Sequence, residues 1–157
     1  MNAMDDQVGA QIADALGTLL KRSTRASLYR DLTEGLGEAV NEVTYPVLSG
    51  LARTGPCSSA DLAAEVGLDR SRVSRHASRL EEAGLLRRAP DPADRRSVLL
   101  TLTSRGTDTV AVMRQRLAAR LTAYLSTWAP QDAHSFADGL RRFTEEGPFA
   151  ESPGSMD

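Results

Sequence analysis

Residues 58–85 read SSADLAAEVGLDRSRVSRHASRLEEAGL, a pattern that predicts two short helices joined by a tight turn. Ser58 stands where its side chain can cap the first helix, and Gly67 follows as the residue that ends it. Asp69 stands where it can cap the second helix. The predicted apolar stripe of that second helix consists of Val73, Ala77 and Leu80.

The opposite face of the second helix is made almost entirely of arginine and serine. Arginine carries a planar fork of donors that suits guanine edges and phosphates, so a helix of this kind fits a DNA major groove. The alternative is an ordinary solvated surface, but arginine is used almost throughout and the single lysine, Lys21, lies elsewhere. The candidate DNA-binding residues on this helix are Arg70, Ser71, Arg72, Ser74, Arg75 and Arg79.

Residues 85–103 change to the period-two alternation of a β-hairpin, with its turn at residues 90–94. Arg95 and Arg96 follow the turn, where a wing would bring them to the adjacent minor groove, whose narrow, electronegative form attracts arginine. The alternative is a hairpin that only completes the domain, with Asp94 paired to a neighbouring arginine. Both interpretations are compatible if Asp94 holds one arginine and the other is presented to the minor groove. The segment therefore predicts a winged helix-turn-helix.

Length and composition are those of an ordinary globular protein. The 157 residues allow one domain with helical extensions, and 41% are hydrophobic and 25% charged. There is no apolar run of membrane-spanning length and no signal-peptide core after Met1. One cysteine cannot form an intrachain disulfide. We therefore expect a cytoplasmic protein without a membrane partner.

The net charge of −2 hides an uneven distribution. Residues 69–96 hold eight arginines against five acidic residues, which is +3, so the remaining residues carry −5. A basic stripe on an acidic body favours local binding to double-stranded DNA without general adhesion to polyanions.

Helical spacing of apolar residues predicts two helices before this segment. The first is expected as one long helix over residues 5–37, with any break at Gly35 or Gly37. The second is expected over residues 42–54, with Asn41 as its cap.

Two more helices are expected after the hairpin. Thr103 stands where it can cap a helix over residues 104–127, and Pro130 opens the last one. The apolar stripes of residues 5–37 and 104–146 exceed what the small winged segment can bury. A two-fold homodimer that packs these stripes together is the economical solution, and a monomer in which the helices bundle on one another is the alternative.

The order and spacing of several short segments make the chain resemble the MarR family, the multiple-antibiotic-resistance regulators. No single segment decides the resemblance, which runs from about residue 42 to residue 106. The segments are residues 62–68, 72–75, 80–85, 92–96 and 102–106, together with Tyr45, Val47 and Leu48.

The resemblance implies a mainly α (α+β) fold, a single MarR-like domain over residues 1–157 with a DNA-binding lobe at 42–106 and dimerisation helices on either side. It also implies a homodimeric repressor that binds a pseudo-palindrome and is released by a small aromatic or anionic ligand. By the family pattern Asp94 orients the wing and Arg96 is the minor-groove arginine. The base-facing positions of the pattern fall on Ser71, Ser74 and Arg75.

The chain lacks patterns that would indicate other chemistry. It has no glycine-rich phosphate loop, no Ser/His/Asp arrangement and no metal-ligand spacing, so we expect no catalytic residues, no metal and no cofactor. Cys57 and His76 are interpreted as packed side chains rather than sensors, and His134 as exposed. A winged helix that binds only another protein, through the acidic first helix, remains the alternative function.

Overall fold

The computed structural model describes residues 3–148, with side chains from residue 6 onward. The chain divides into two compact units, the first ending at Gln115 and the second beginning at Arg116. The described part is mainly helical, which confirms the predicted winged-helix fold class. Its elements are α1 (Ala3–Leu20), α2 (Arg22–Thr33), α3 (Tyr45–Thr54), α4 (Ser59–Val66), α5 (Arg70–Glu82), β1 (Leu86–Pro90), β2 (Val98–Leu102), α6 (Ser104–Leu125) and α7 (Pro130–Glu146).

The helix-turn-helix pair α4–α5 is bounded by the signals that the sequence predicted. The Ser58 hydroxyl accepts the backbone N–H of Asp61 at 3.1 Å, and the Asp69 carboxylate accepts that of Arg72 at 2.8 Å. Gly67 ends α4 in the left-handed conformation at φ 67°. Because each cap satisfies an N–H that has no partner inside the helix, the positions at which α4 and α5 begin are fixed locally.

The core of the first unit lies where α3, α4 and α5 meet the hairpin. Its members are fully or almost fully buried, which is the main source of stabilisation for a unit of this size. They include Leu48, Leu62, Val73, Ala77, Leu80, Leu86, Leu100, Val110 and Met113.

The hairpin formed by β1, β2 and their turn, called the wing below, is antiparallel, with Leu86 opposite Leu102 and Pro90 opposite Val98. The outer edge of β2 pairs with Cys57, whose N–H donates to the Leu100 carbonyl and whose carbonyl accepts the Leu100 N–H. These bonds attach the wing to the segment that leads into α4.

The base of the wing is held against the start of α6. The Thr103 hydroxyl donates to the Gly84 carbonyl at 2.7 Å and accepts the Gly106 N–H at 3.1 Å, so it caps α6 as expected. Gly106 is required there, since a Cβ at this position would overlap the carbonyl oxygen of Leu85.

The prediction of one continuous helix over residues 5–37 is wrong. Lys21 adopts an extended conformation with ψ 136°, so α1 ends at Leu20 and α2 begins one residue later. The break therefore precedes Gly35, and α2 ends at Thr33. Leu20 is 65% exposed, so within residues 3–148 tertiary packing does not favour a continuous helix at this point.

The predicted start of the second helix is also wrong. Asn41 is not its cap; the Asn41 side-chain oxygen accepts the N–H groups of Val43 and Thr44 at 3.0 and 3.2 Å. These bonds form a local turn, and α3 begins only at Tyr45, with Pro46 in its first turn.

The second unit, described to residue 148, contains the last turns of α6 and all of α7. Trp128 lies between the two helices in sequence, with ring centroids 5.9 Å from Tyr124 and 5.5 Å from Phe136. Pro130 opens α7 as predicted, and no described residue of α7 is buried. Across the described range, none of the helices has the length and apolar character needed to cross a membrane.

Candidate nucleic-acid interface

Helix α5 separates its residues into the two faces that the sequence predicted. Val73, Ala77 and Leu80 are completely buried against the first unit's core. The six candidate DNA-binding residues of the helix are all exposed, namely Arg70, Ser71, Arg72, Ser74, Arg75 and Arg79. The buried stripe therefore fixes which side of α5 is presented outward.

The arginines of α5 are mostly free of carboxylate partners. Arg72 pairs with Asp69 at 3.2 Å, but both side chains are more than half exposed, and such pairs contribute little. Among residues 3–148, Arg70, Arg75 and Arg79 have no ion pair within 4 Å. The positive charge of this face is thus available to an anionic partner.

Asp94 holds the main chain at the tip of the wing. Its carboxylate accepts the backbone N–H of Arg96 at 3.0 Å and the hydroxyl of Ser97 at 3.2 Å. Asp94 thus pairs with a neighbouring arginine through the backbone of Arg96, and among the described residues it forms no ion pair with a guanidinium within 4 Å. Arg95 and Arg96 are both exposed, and Asp94 fixes the backbone from which they project.

The start of α5 and the wing share one concave surface. A cavity of about 420 Å³ is lined by Arg70, by Arg96 and by Ser58 at the start of α4, among others. The structure thus brings an arginine of the helix and an arginine of the wing, far apart in sequence, to the same site.

Arg88 on β1 was not singled out from the sequence. Its guanidinium donates to the Glu81 carboxylate, to the Ser74 carbonyl and to the Ser78 hydroxyl, each at 3.2 Å. Its three partners recur along one side of α5 at intervals of four and three residues. That recurrence, together with an arginine on the adjoining strand, is the signal that could have revealed the contact.

His76 lies half-buried on α5 and confirms its interpretation as a packed side chain. Its Nδ1 atom is buried and has no hydrogen-bond partner among the described residues. Burial lowers the pKa of His76, as do the nearby guanidiniums of Arg75, Arg79 and Arg72, whereas Asp69 acts in the opposite direction. Folding therefore favours the neutral imidazole.

A second cavity, of about 600 Å³, lies within the first unit between the end of α3, β2 and the first half of α6. Its lining is largely apolar, including Leu51, Leu102 and Val110, with the guanidinium-bearing Arg114 among the lining residues. Such a lining suits a small molecule with an apolar body and an anionic group.

The MarR family model matches residues 40–97 of the chain. The chain is also similar to the HTH-type transcriptional regulator YxaD of Bacillus subtilis, with 31% identity over 121 residues that cover 77% of this chain and 85% of YxaD. The chain belongs to the MarR family. It is accordingly a DNA-binding transcription regulator and not an enzyme.

Two further relatives of this MarR family protein are informative. The HTH-type transcriptional repressor NicR of Pseudomonas putida is 25% identical over 101 residues, which cover 64% of each chain. The PcaV transcriptional regulator of Streptomyces coelicolor, solved in complex with its natural ligand, is 28% identical with a TM-score of 0.55, covering 85% of this chain and 89% of PcaV.

Cys57 of this MarR family protein lies half-buried against the core, and its Sγ is 3.4 Å from the Thr54 hydroxyl. Its environment agrees with the interpretation as a packed side chain. His134 is exposed, as predicted. In the part of the chain that the structure describes, His, Cys, Asp and Glu side chains nowhere gather in a group of three suited to a metal ion.

Proposed function

We propose that this MarR family regulator binds a pseudo-palindromic operator as a homodimer, represses transcription in the cytoplasm and is released by a small aromatic or anionic molecule. The observation that carries the proposal is the shared cavity between Arg70 of α5 and Arg96 of the wing. A helix in a major groove and a wing in the next minor groove must meet across one stretch of sugar-phosphate backbone.

The proposed division of labour follows from what each part of the chain exposes. Residues 42–106 form the DNA-binding lobe of a single domain over residues 1–157, and residues 5–37 and 104–146 are the dimerisation helices. On α5, Ser71, Ser74 and Arg75 face the bases, whereas Arg70, Arg72 and Arg79 neutralise phosphates.

On the wing, Arg96 enters the minor groove and Arg95 contacts phosphate. Asp94 supports this assignment, because its bonds to the backbone of Arg96 and to Ser97 reduce the freedom of the tip before DNA arrives. Less conformational entropy is then lost on binding.

Homodimerisation is supported by apolar side chains that a single chain leaves in water. On α1, Leu19 is 62% exposed, and α6 leaves Leu121 and Tyr124 more than half exposed. Exposed apolar groups at helical spacing are typical of an interface. Two-fold symmetry would direct two copies of α5 to the two half-sites of a palindrome.

Repression and ligand release are supported by the relatives. NicR is named as a repressor, and PcaV has a natural ligand in its crystal structure. In this chain the 600 Å³ cavity offers apolar walls from Leu102 and Val110, and Arg114 offers a fork for a carboxylate. An anionic aromatic molecule is the chemical class that fits these groups.

Selection of bound sites from random DNA duplexes with the full chain tests the proposal. We expect a two-fold symmetric consensus with half-sites spaced by about one helical turn or a multiple of it, and affinity that falls steeply with salt. Recovery of no consensus, with retention on DNA that salt does not weaken, would contradict the DNA-binding role. It would favour the alternative of a winged helix that contacts only protein.

A further inference from the structure

We propose that Arg88 is a positioning residue that ties the wing to the recognition helix α5 and thereby couples the reading of the two grooves. The inference rests on the proposed function, because it assumes that α5 and the wing read adjacent grooves. Arg88 itself contacts no DNA in this proposal. It sets the angle at which the wing leaves α5, and so the place at which Arg96 meets the minor groove.

The hydrogen bonds of Arg88 are directed to α5, although its side chain also lines the cavity that Arg70 and Arg96 share. One terminal nitrogen of its guanidinium donates to Glu81, and the other donates to both the Ser74 carbonyl and the Ser78 hydroxyl. The Ser78 hydroxyl also donates to the Ser74 carbonyl at 3.1 Å. One planar side chain on β1 therefore reaches two turns of α5, a geometry that a single point charge cannot reproduce.

Burial distinguishes Arg88 from its neighbour on the strand. The Arg88 side chain is only 29% exposed, and its partner Glu81 is 41% exposed. Arg87 is exposed, as expected for the next residue of a strand, whose side chain points to the opposite face. Partial desolvation strengthens charge-assisted hydrogen bonds, so the Arg88 contacts resist exchange with water better than a surface pair does.

The other attachments of the wing hold its base and the outer edge of β2. At the base, Thr103 and Arg105 hold the end of α5 through the carbonyls of Gly84 and Ala83. Cys57 holds the outer edge of β2. Arg88 lies on β1 opposite Leu100, the β2 residue that Cys57 holds. Its hydrogen bonds tie the β1 side of the hairpin to α5, so their loss would let β1 shift relative to α5.

The first experiment compares Arg88→Ala and Arg88→Lys with the parent on one operator carrying A·T-rich or G·C-rich flanks at fixed salt. Both variants are expected to lose about threefold or more of the flank preference, while discrimination at the bases read by α5 is kept. Arg87→Ala is the matched control, since it removes one wing charge but no contact with α5. An Arg88→Lys variant that behaves like the parent would overturn the proposal, because charge alone would then suffice.

The second experiment changes Glu81, the carboxylate partner of Arg88. It distinguishes Arg88 as a tether, a residue that ties the wing to α5, from Arg88 as a phosphate contact, because the two roles predict opposite changes in DNA binding. Glu81→Gln and Glu82→Gln remove the same charge from adjacent residues, and only Glu81 bonds to Arg88. The tether predicts that Glu81→Gln weakens the flank preference relative to Glu82→Gln. If Glu81→Gln instead raises affinity further than Glu82→Gln on all flanks, Arg88 is a released phosphate contact and the proposal fails.

A measurement without DNA separates this inference from the proposed function. Nitroxide labels at Ala93→Cys and Glu82→Cys, in a Cys57→Ser background, report the distance between wing tip and α5. Arg88→Ala should broaden that distance distribution and Arg87→Ala should not. If the parent shows no flank preference, the minor-groove role in the proposed function fails and the labels alone decide the tether: broadening supports it, and an unchanged distribution overturns it.

Discussion

The core of the first unit and the terminal helices differ in how much of their apolar surface a single chain can bury. In the core, Leu48, Leu62 and Leu80 are completely buried. On α1, every described side chain except the half-buried Leu16 is exposed, and α7 has no buried residue in its described length.

The difference extends along α6. Its first turns bury Val110 and Met113, whereas Leu121 and Tyr124 further along are exposed, the latter by 63%. Stability of the winged-helix core should therefore be a property of one chain. Burial of the terminal stripes should depend on a second copy and hence on protein concentration.

Leu80→Ala should have the largest effect on the core side of this comparison. It removes a completely buried side chain from α5, and such changes cost about 2–5 kcal/mol of the free energy of unfolding. Urea unfolding at two protein concentrations is the measurement. The loss should be the same at both concentrations.

Leu140→Ala on α7 is the matched control, because Leu140 is half exposed in the single chain. Its effect should be largest where the protein is dimeric and should shrink when dilution shifts the protein to a monomer, in which Leu140 is already exposed. A Leu140→Ala effect that is large and independent of concentration would mean that α7 is buried within its own chain.

The replacement of Leu117 and Leu121 by Asp tests the terminal helices, whose apolar stripes are expected to need a second copy. Charges in the apolar stripe of α6 should raise the dimer dissociation constant by about a hundredfold or more, because unpaired carboxylates would be desolvated at the interface. Sedimentation would measure this, with circular dichroism as the check that the core stays folded. If mutant and parent show the same mass, the stripe is not the interface.

The caps of α4 and α5 could be predicted from sequence because they are local. Ser58 and Asp69 each bond to an N–H three residues on, so a short window contains both partners. The wing followed in the same way from alternation and a turn. Strand β1 begins at Leu86, one residue later than expected, within the usual uncertainty of strand ends.

The remaining features depend on contacts that a single window does not contain. The break at Lys21 reflects missing tertiary support for Leu19 and Leu20, whose apolar character suggested a continuous helix. The sequence around Arg88 does not distinguish it from other strand arginines, because its ion pair with Glu81 forms only when the hairpin packs beside α5. Local patterns do not reveal how far one element reaches across another.

Arg75→Ala should leave the stability of the core and the dimerisation of the terminal helices unchanged and should alter only DNA binding. A lost bidentate base contact costs about 1–3 kcal/mol and relaxes discrimination at one position per half-site. Binding to a panel of single-base operator variants is the measurement. Equal weakening on every sequence would assign Arg75 to phosphate instead.

Arg96→Ala should have a smaller effect that depends on sequence context. Affinity should fall most on A·T-rich flanks, where the minor groove is narrow and its potential deepest, with little change in stability. Arg95→Ala should act evenly on all flanks, as a phosphate contact would. A flank preference lost in Arg95→Ala but kept in Arg96→Ala would move the minor-groove role one residue back.

The smallest expected effect is the pH-dependent contribution of His76 to the free energy of unfolding of the core. The pKa of His76 is lowered from its ordinary value of 6.5, first by burial and then by Arg75, Arg79 and Arg72, with Asp69 opposing them. In the unfolded chain the imidazole regains its ordinary pKa, so between the two values the unfolded state binds more protons.

The stabilisation from neutral His76 is therefore complete above about pH 6.5 and declines as the pH falls through the lower, folded pKa. His76→Asn should flatten the fall in the free energy of unfolding from about pH 7 to pH 5 relative to the parent, and equally so at high and low protein concentration. His134→Asn, which changes the exposed histidine of α7, is the control, and a flattening that both variants share would not be assigned to His76. If His76→Asn keeps the parental slope, the neutral form is not favoured by folding. If the flattening occurs only at concentrations at which the dimer forms, the second copy influences the pKa of His76. The core would then depend on the partner, as the terminal helices do.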